Sequence, residues 1–292
     1  MKKRVLVLGS TGMLGHQVVN YFLQFNEYEV IDISFKNKFR EETIILDVTN
    51  QALFSDTIVK INPDYIINCI GILISDANSN VSNAIYINAY LPYQLKNIAK
   101  SINAKLIHIS TDCVFSGEKG KYIETDDKDG KDTYSKTKAL GEIIDDTNIT
   151  LRTSIIGLEL KTNGKGLFHW FMKQSGCING YTKAIWSGVT TVELAKVVKL
   201  VIENEIIGLY HVTNNTSLSK NDLLKLFKKH TKKDIEIIAV DGKNIDKSFI
   251  DTRKEINYVI PSYDEMVKEM VNLILNNKKL YSQYNEESAC EK

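Results

Sequence analysis

The chain is 292 residues long, 43% hydrophobic and 25% charged, with a net charge of +1. That length buries a substantial core in one large or two modest domains. The even charge leaves no basic footprint for nucleic acid or an anionic membrane, and no apolar stretch is long enough to span a bilayer.

The chain opens "MKKRVLVLG", with only four apolar residues before the glycine, so this segment reads as a first strand and not an export signal. A helix follows from about Met13 to Phe25, then the strand "YEVIDIS". Next come "TIILDV", a helix near Gln51 to Lys60, and "DYIINCIG". A helix over roughly Ala84 to Lys100 precedes "AKLIHIS"; another starts near Tyr134, and "ITLRTS" closes the series. Strands that are apolar and β-branched, with little in–out alternation and helices between them, predict a doubly wound parallel sheet of Rossmann type.

After Ser154 the rhythm changes to a glycine-punctuated aromatic stretch from Thr162 to Ser187. Helical patterns then cover Val192–Glu203, Lys220–His230 and Tyr263–Asn276, with strands "LYHVT" and "DIEIIAV" between. The expected organisation is a dinucleotide-binding domain over residues 1–154, joined by a strand near 208–213, and a smaller mixed α/β substrate-binding region over 155–292. The polar tail "NNKKLYSQYNEESACEK" is expected to be loosely held. Cys69, Cys113, Cys177 and Cys290 lack zinc-type spacing and His-Glu-x-x-His is absent. That predicts reduced thiols, no structural metal and a cytoplasmic chain.

"GSTGMLG" places Gly9, Gly12 and Gly15 between the first strand and its helix. Glycines there let the backbone turn tightly and approach a pyrophosphate at the helix N-terminus. Ser10, Thr11, Met13 and Leu14 complete that loop. Asp32, at the end of the second strand, suits adenosine ribose hydroxyls and NAD, while Ser34, Lys36, Lys38 and Arg40 could hold the 2′-phosphate of NADP. The cofactor preference stays open. Asp47 ends the third strand and reads either as an adenine contact or as a helix N-cap. Val48, Cys69 and Gly71 belong to the same expected cofactor wall.

At the chemical end, Ser110 and Thr111 finish the fifth strand, and Tyr134 and Lys138 stand four apart on the next helix. Four apart is one helical turn, so both side chains share a face. A nearby ammonium stabilises a phenolate, letting a tyrosine exchange protons far below its usual pKa near 10. The tyrosine can then protonate a carbonyl oxygen that Thr111 polarises.

Together "GSTGMLG", "ISTDCVFSG", "YSKTKALGE", "LRTSIIG" and "WSGVTTVELAK" resemble the extended short-chain dehydrogenase/reductase family, nearest its dTDP-4-dehydrorhamnose reductase branch. The resemblance covers nearly the whole chain. It implies Thr111, Tyr134 and Lys138 as catalytic residues, and NAD(P)H-dependent reduction of the 4-keto group of a nucleotide-linked 6-deoxy sugar. It also implies a homodimer. Cys113, Arg152, Lys183 and Trp186 are its candidates for the nucleotide sugar, with a core role open for Trp186 and a structural salt bridge for Arg152. Cys113 stands where relatives commonly have tyrosine, and Ile155 near where they have an aromatic, so the particular sugar is left open. His16 reads as a helix-surface residue, and His169 with Trp170 and Phe171 as either pocket or core. Two alternatives use the same fold: an epimerase or dehydratase that retains its NAD, and a non-catalytic regulatory subunit.

Overall fold

The computed structural model describes residues 1–253 and 255–284. The first half runs β1 (Lys3–Leu8), α1 (Gly15–Phe22), β2 (Tyr28–Ser34), β3 (Ile44–Ile45), α2 (Gln51–Ile61), β4 (Tyr65–Asn68) and α3 (Ile74–Ser79). There follow α4 (Val81–Ala84), a π-helical turn (Ile85–Tyr90), α5 (Leu91–Ser101), β5 (Lys105–Thr111), α6 (Thr133–Leu140) and β6 (Ile149–Thr153). The second half holds β7 (Ile155–Ile156), α7 (Leu167–Met172), β8 (Gly176–Tyr181), β9 (Ala184–Trp186), β10 (Val189–Thr190) and α8 (Thr191–Glu203). It ends with β11 (Gly208–His211), β12 (Leu218–Ser219), α9 (Lys220–Thr231), β13 (Ile235–Val240), β14 (Ile245–Asp246) and α10 (Tyr263–Asn276).

Seven parallel strands form the central sheet in the order β11-β6-β5-β4-β1-β2-β3. The strand expected near 208–213 is β11, paired with β6. One face is covered by α1, α8 and α10, which bury Val18, Val19, Phe22, Val198 and Met270 against Val5 and Val7. The opposite face is covered by α2 and α5 through Phe54, Ile58, Leu91 and Leu95 against Leu6 and Leu8. With both faces buried, most packed strand residues are apolar, each fully buried Leu or Phe contributing about 1.5–3 kcal/mol. The buried polar exceptions, among them Asp32, Asn68, His108 and Arg152, lie in β2, β4, β5 and β6.

The chain leaves β1 toward β2 and β3, then returns to the other side of β1 as β4. The switch point between β1 and β4 is where an open α/β sheet leaves a crevice beyond its strand ends. Outside this sheet, β8 pairs with β13, and β9 lies between β12 and β14.

Two details depart from the sequence reading. The helix expected from about Ala84 carries the π turn, in which buried Asn88 bonds both the amide and the carbonyl of Ile72 (2.9 and 3.0 Å). Such a turn inserts an extra residue to aim a side chain, here pinning the segment after β4. The tail is also less loose than expected: Tyr281 and Tyr284 are buried, because aromatic rings outweigh the polar residues between them. Cys290 and the rest of that expectation lie outside the described residues.

Candidate active site

The cradle starts where β1 ends. Gly9 has φ +83°, its amide bonds the Ile33 carbonyl at 2.8 Å, and its own carbonyl accepts the Gly12 amide at 2.9 Å. A side chain on Gly15 would overlap the Gly9 carbonyl, and one on Gly9 would press on Ile70 and Cys69. Only glycine fits these two positions. No side chain caps α1, so the loop presents backbone to the crevice.

Asp32 is fully buried; Oδ1 takes Arg40 Nε at 2.6 Å, and Oδ2 has no hydrogen-bond partner. Of the basic run, Arg40 therefore turns back onto the carboxylate, while Lys38 bonds the Glu41 carbonyl and Lys36 lies over Phe35. Asp47 accepts from the Thr49 amide and hydroxyl, and the N-cap of α2 is Asn50, not Asp47. Val48 is buried and its carbonyl holds Tyr86 Oη at 2.8 Å. Cys69 is half-buried beside Gly9, with burial pushing its thiol up to about 12, and Gly71 is exposed.

The chemical end combines β5 and α6. Thr111 ends β5 in extended conformation; its Oγ1 accepts the Cys113 amide at 3.1 Å and donates to Asp112 Oδ1 at 3.0 Å. Asp132 caps α6 through Ser135, which fixes Tyr134 in the first turn and Lys138 one turn on. Burial holds the Tyr134 phenol above the ordinary range; Cys113 adds to this, and a hydrogen bond from Thr111 opposes it. Burial also raises the Asp112 carboxyl, and lifts the Cys113 thiol to about 12.

Lys138 is buried, and its Nζ donates to the Ile109 carbonyl at 2.7 Å. Burial lowers it to about 8, with Glu142 acting in the opposite sense. His108 Nε2 lies 3.4 Å from the same Nζ, and Asn68 Nδ2 lies 3.1 Å from His108 Nδ1. The sequence reading passed over His108 and Asn68. The signal was a single histidine in the apolar run "LIHIS", but its neighbour becomes visible only when β4 and β5 pair Asn68 with His108.

The substrate candidates scatter. Of the two readings open for Arg152, the structural salt bridge is the one found: it is 1% exposed, with Nε and Nη2 on Glu142 (2.9 and 2.8 Å) and Nη1 2.8 Å from His211 Nε2. Phe115 covers its guanidinium at 4.9 Å. Every donor edge is committed inside the fold, because "ITLRTS" is a central strand and a buried cation there needs a partner. Trp186 is buried, donates to Ser154 Oγ at 2.8 Å and packs 5.4 Å from Tyr263. Lys183 is an exposed lysine paired with exposed Asp241 at 2.6 Å. Cys113, half-buried, is the one of the four beside Thr111 and Tyr134.

One histidine reading changes, and one open reading resolves mainly to core. His16 is completely buried, not on the surface, with Nδ1 2.7 Å from the Gly12 carbonyl and Nε2 3.1 Å from Tyr281 Oη. His169 and Phe171 are core, His169 bonding Tyr284 Oη at 2.9 Å, while Trp170 is exposed.

The profile of the RmlD substrate binding domain family matches residues 2–249. The chain belongs to that family. One relative of this RmlD substrate binding domain protein is the dTDP-4-dehydrorhamnose reductase of Aggregatibacter actinomycetemcomitans, 29% identical over 231 residues, 75% of this chain and 76% of that protein. Methionine adenosyltransferase 2 subunit beta of Rattus norvegicus is 31% identical over 144 residues, covering 48% of this chain and 42% of the relative. Among solved structures, dTDP-4-dehydrorhamnose reductase from Bacillus anthracis in complex with NADP superposes with TM-score 0.82 at 23% identity, covering 94% of this chain and 100% of that one. That likeness establishes a Rossmann-type fold for the family member described here.

Proposed function

We propose that this chain is an NAD(P)H-dependent oxidoreductase that reduces the 4-keto group of a nucleotide-linked 6-deoxy sugar. The observation that supports the reading is Thr111 at the end of β5, hydrogen-bonded to Tyr134 in the first turn of α6, with Lys138 one turn further along that helix and bonded to Ile109 of β5. The relatives named as dTDP-4-dehydrorhamnose reductases support it.

The residues present fit a nicotinamide dinucleotide. Two positions in the loop accept only glycine, and Asp32 keeps one buried oxygen unpartnered, ready for a ribose hydroxyl. Gly9 to Gly15, Asp32 and Arg40 would hold its adenosine diphosphate part, with Asp47, Val48, Cys69 and Gly71 along the wall. When bound, it supplies the hydride. Tyr134 enters the reaction protonated, as its buried surroundings dictate, and gives that proton to the carbonyl oxygen. Thr111 turns its hydroxyl from Asp112 to the same oxygen and orients it. Lys138, anchored on Ile109, stabilises the phenolate that Tyr134 leaves behind.

Residues 155–292 make up the substrate-binding region in this reading, and Cys113 faces the sugar. Cytoplasmic residence and a homodimer belong to the same proposal; no helix among the described residues is long and apolar enough to cross a membrane. A regulatory-subunit reading draws on the likeness to methionine adenosyltransferase 2 subunit beta. Oxidation of NADH and NADPH over a panel of 4-keto-6-deoxy nucleotide sugars separates the two. Turnover that drops about 10²–10⁴-fold in Tyr134→Phe supports reduction. Cofactor binding without turnover on any sugar sinks it.

A further inference from the structure

Asn68, His108 and Lys138 form a line from β4 through β5 to α6, and its first member is fixed by a group whose chemistry is unambiguous. The Ile70 backbone amide can only donate, and it lies 3.1 Å from Asn68 Oδ1. That sets the amide orientation and turns Asn68 Nδ2, a pure donor, toward His108 Nδ1 at 3.1 Å. His108 Nδ1 must therefore accept. A neutral imidazole carries one proton, so it resides on Nε2, which points at Lys138 Nζ from 3.4 Å. Two donors facing each other account for that length, beside the 2.7 Å bond from the same Nζ to the Ile109 carbonyl.

We infer that His108 is a positioning residue that presents an N–H, and not a lone pair, to Lys138, so that the lysine gives up a proton readily. The inference rests on the proposed reduction, which leaves Tyr134 as a phenolate. Once the Tyr134 O–H bond has broken toward the substrate oxygen, Lys138 passes one ammonium proton back toward Tyr134. The electron pair left on Nζ then accepts a hydrogen bond from His108 Nε2–H, which keeps its own proton. Water restores the lysine proton after product leaves.

The surrounding charges agree. Burial and the Lys138 charge both hold His108 well below its ordinary value, so it is neutral. The charge acting on Lys138 is Glu142, just past the end of α6, whose carboxylate is shared with Arg152 of β6 at 2.8 Å and Lys128 at 3.2 Å. Glu142 favours the ammonium, yet Lys138 is brought down to about 8. The face that His108 turns toward it works against the ammonium as well.

The test is NMR on the whole chain. Imidazole ¹⁵N shifts of His108, assigned by loss of the signal in His108→Gln, are expected to show the Nε2–H tautomer at neutral pH. Lys138, followed with ¹³C-labelled lysine and assigned by Lys138→Arg, is expected to titrate near 8. In His108→Gln the new amide can offer its oxygen to the ammonium, and in Asn68→Ala the ring is released to turn its lone pair toward it. Both should raise the Lys138 titration by about one pH unit. In the enzyme the alkaline limb of kcat should move with it. An Nδ1–H tautomer, an imidazolium at neutral pH, or a lysine titration unmoved by both variants overturns the inference. Absence of sugar reduction in the unaltered protein counts against the proposed function instead, and the tautomer and lysine readings still stand or fall by themselves.

Discussion

Arg40 Nε lies 2.6 Å from Asp32 Oδ1, so the carboxylate expected to greet a ribose is already half neutralised by the cation expected to greet a phosphate. In the proposed function the same pair would serve either nicotinamide cofactor, the buried, unpartnered Oδ2 for a ribose hydroxyl and the guanidinium beside it for a 2′-phosphate.

Arg40→Ala should therefore change preference more than turnover. A charge-assisted bond of about 1.5–3 kcal/mol corresponds to a loss of about 10–100-fold in kcat/KM for NADPH. The NADH value should hold within a few-fold. The ratio of the two, measured on one preparation, is independent of any loss of folded protein. An unchanged ratio would remove Arg40 from the cofactor site.

Arg152→Met should damage stability without touching sugar recognition. It leaves Glu142 buried with Lys128 as its remaining ion-pair partner among the described residues. Breaking a buried pair in this way costs about 3–5 kcal/mol in chemical denaturation. The sugar KM of the protein that remains folded should stay within twofold. A KM that rises tenfold would return Arg152 to the substrate site.

Tyr281→Phe tests the tail. The hydroxyl takes Gln17 Nε2 at 2.6 Å and lies 3.1 Å from His16 Nε2, both buried. Removing it leaves those two nitrogens with only each other, at 3.1 Å between Gln17 Nε2 and His16 Nε2, in place of the hydroxyl, at a cost of about 1–3 kcal/mol. A Tm shift below about 1 °C would mean the tail is not coupled to α1.

His16 makes stability depend on pH. Its folded pKa is lowered to about 4 by burial, against 6.5 when exposed. Between those values the unfolded chain binds the proton and the folded chain does not. The contribution is complete above pH 6.5 and is lost as pH falls toward 4, about 3 kcal/mol in all. His16→Gln should flatten that part of the stability–pH curve, measured by urea unfolding at pH 4.5 and 7.

Much of this was legible because the periodicities carry it. The β1, β2 and β5 runs are apolar on both faces, and α8, α9 and α10 fall within a residue of their patterns. That Tyr134 and Lys138 share one helix was legible from their spacing taken with the hydroxyl strand end and the glycine loop before them. His16 and His108 were not, and for Arg152 a salt bridge stood as one of two readings with no partner named, since a charged or polar side chain in a sequence carries no sign of what will neutralise it. Their partners Glu142, Tyr281 and Asn68 stand 10, 265 and 40 residues away. Only sheet order and the return of the tail bring them together.

That return has a consequence for how the protein comes into being. The bond between His16 and Tyr281 joins the second element of the chain to nearly its last described residues. At a synthesis rate of about 5–20 residues per second, roughly 13–50 seconds separate the emergence of the two ends. Throughout that interval the helix behind the glycine loop lacks its final support. A chain released before Tyr281 would keep every motif of the glycine loop and still lack the bonds that the tail makes to His16 and Gln17.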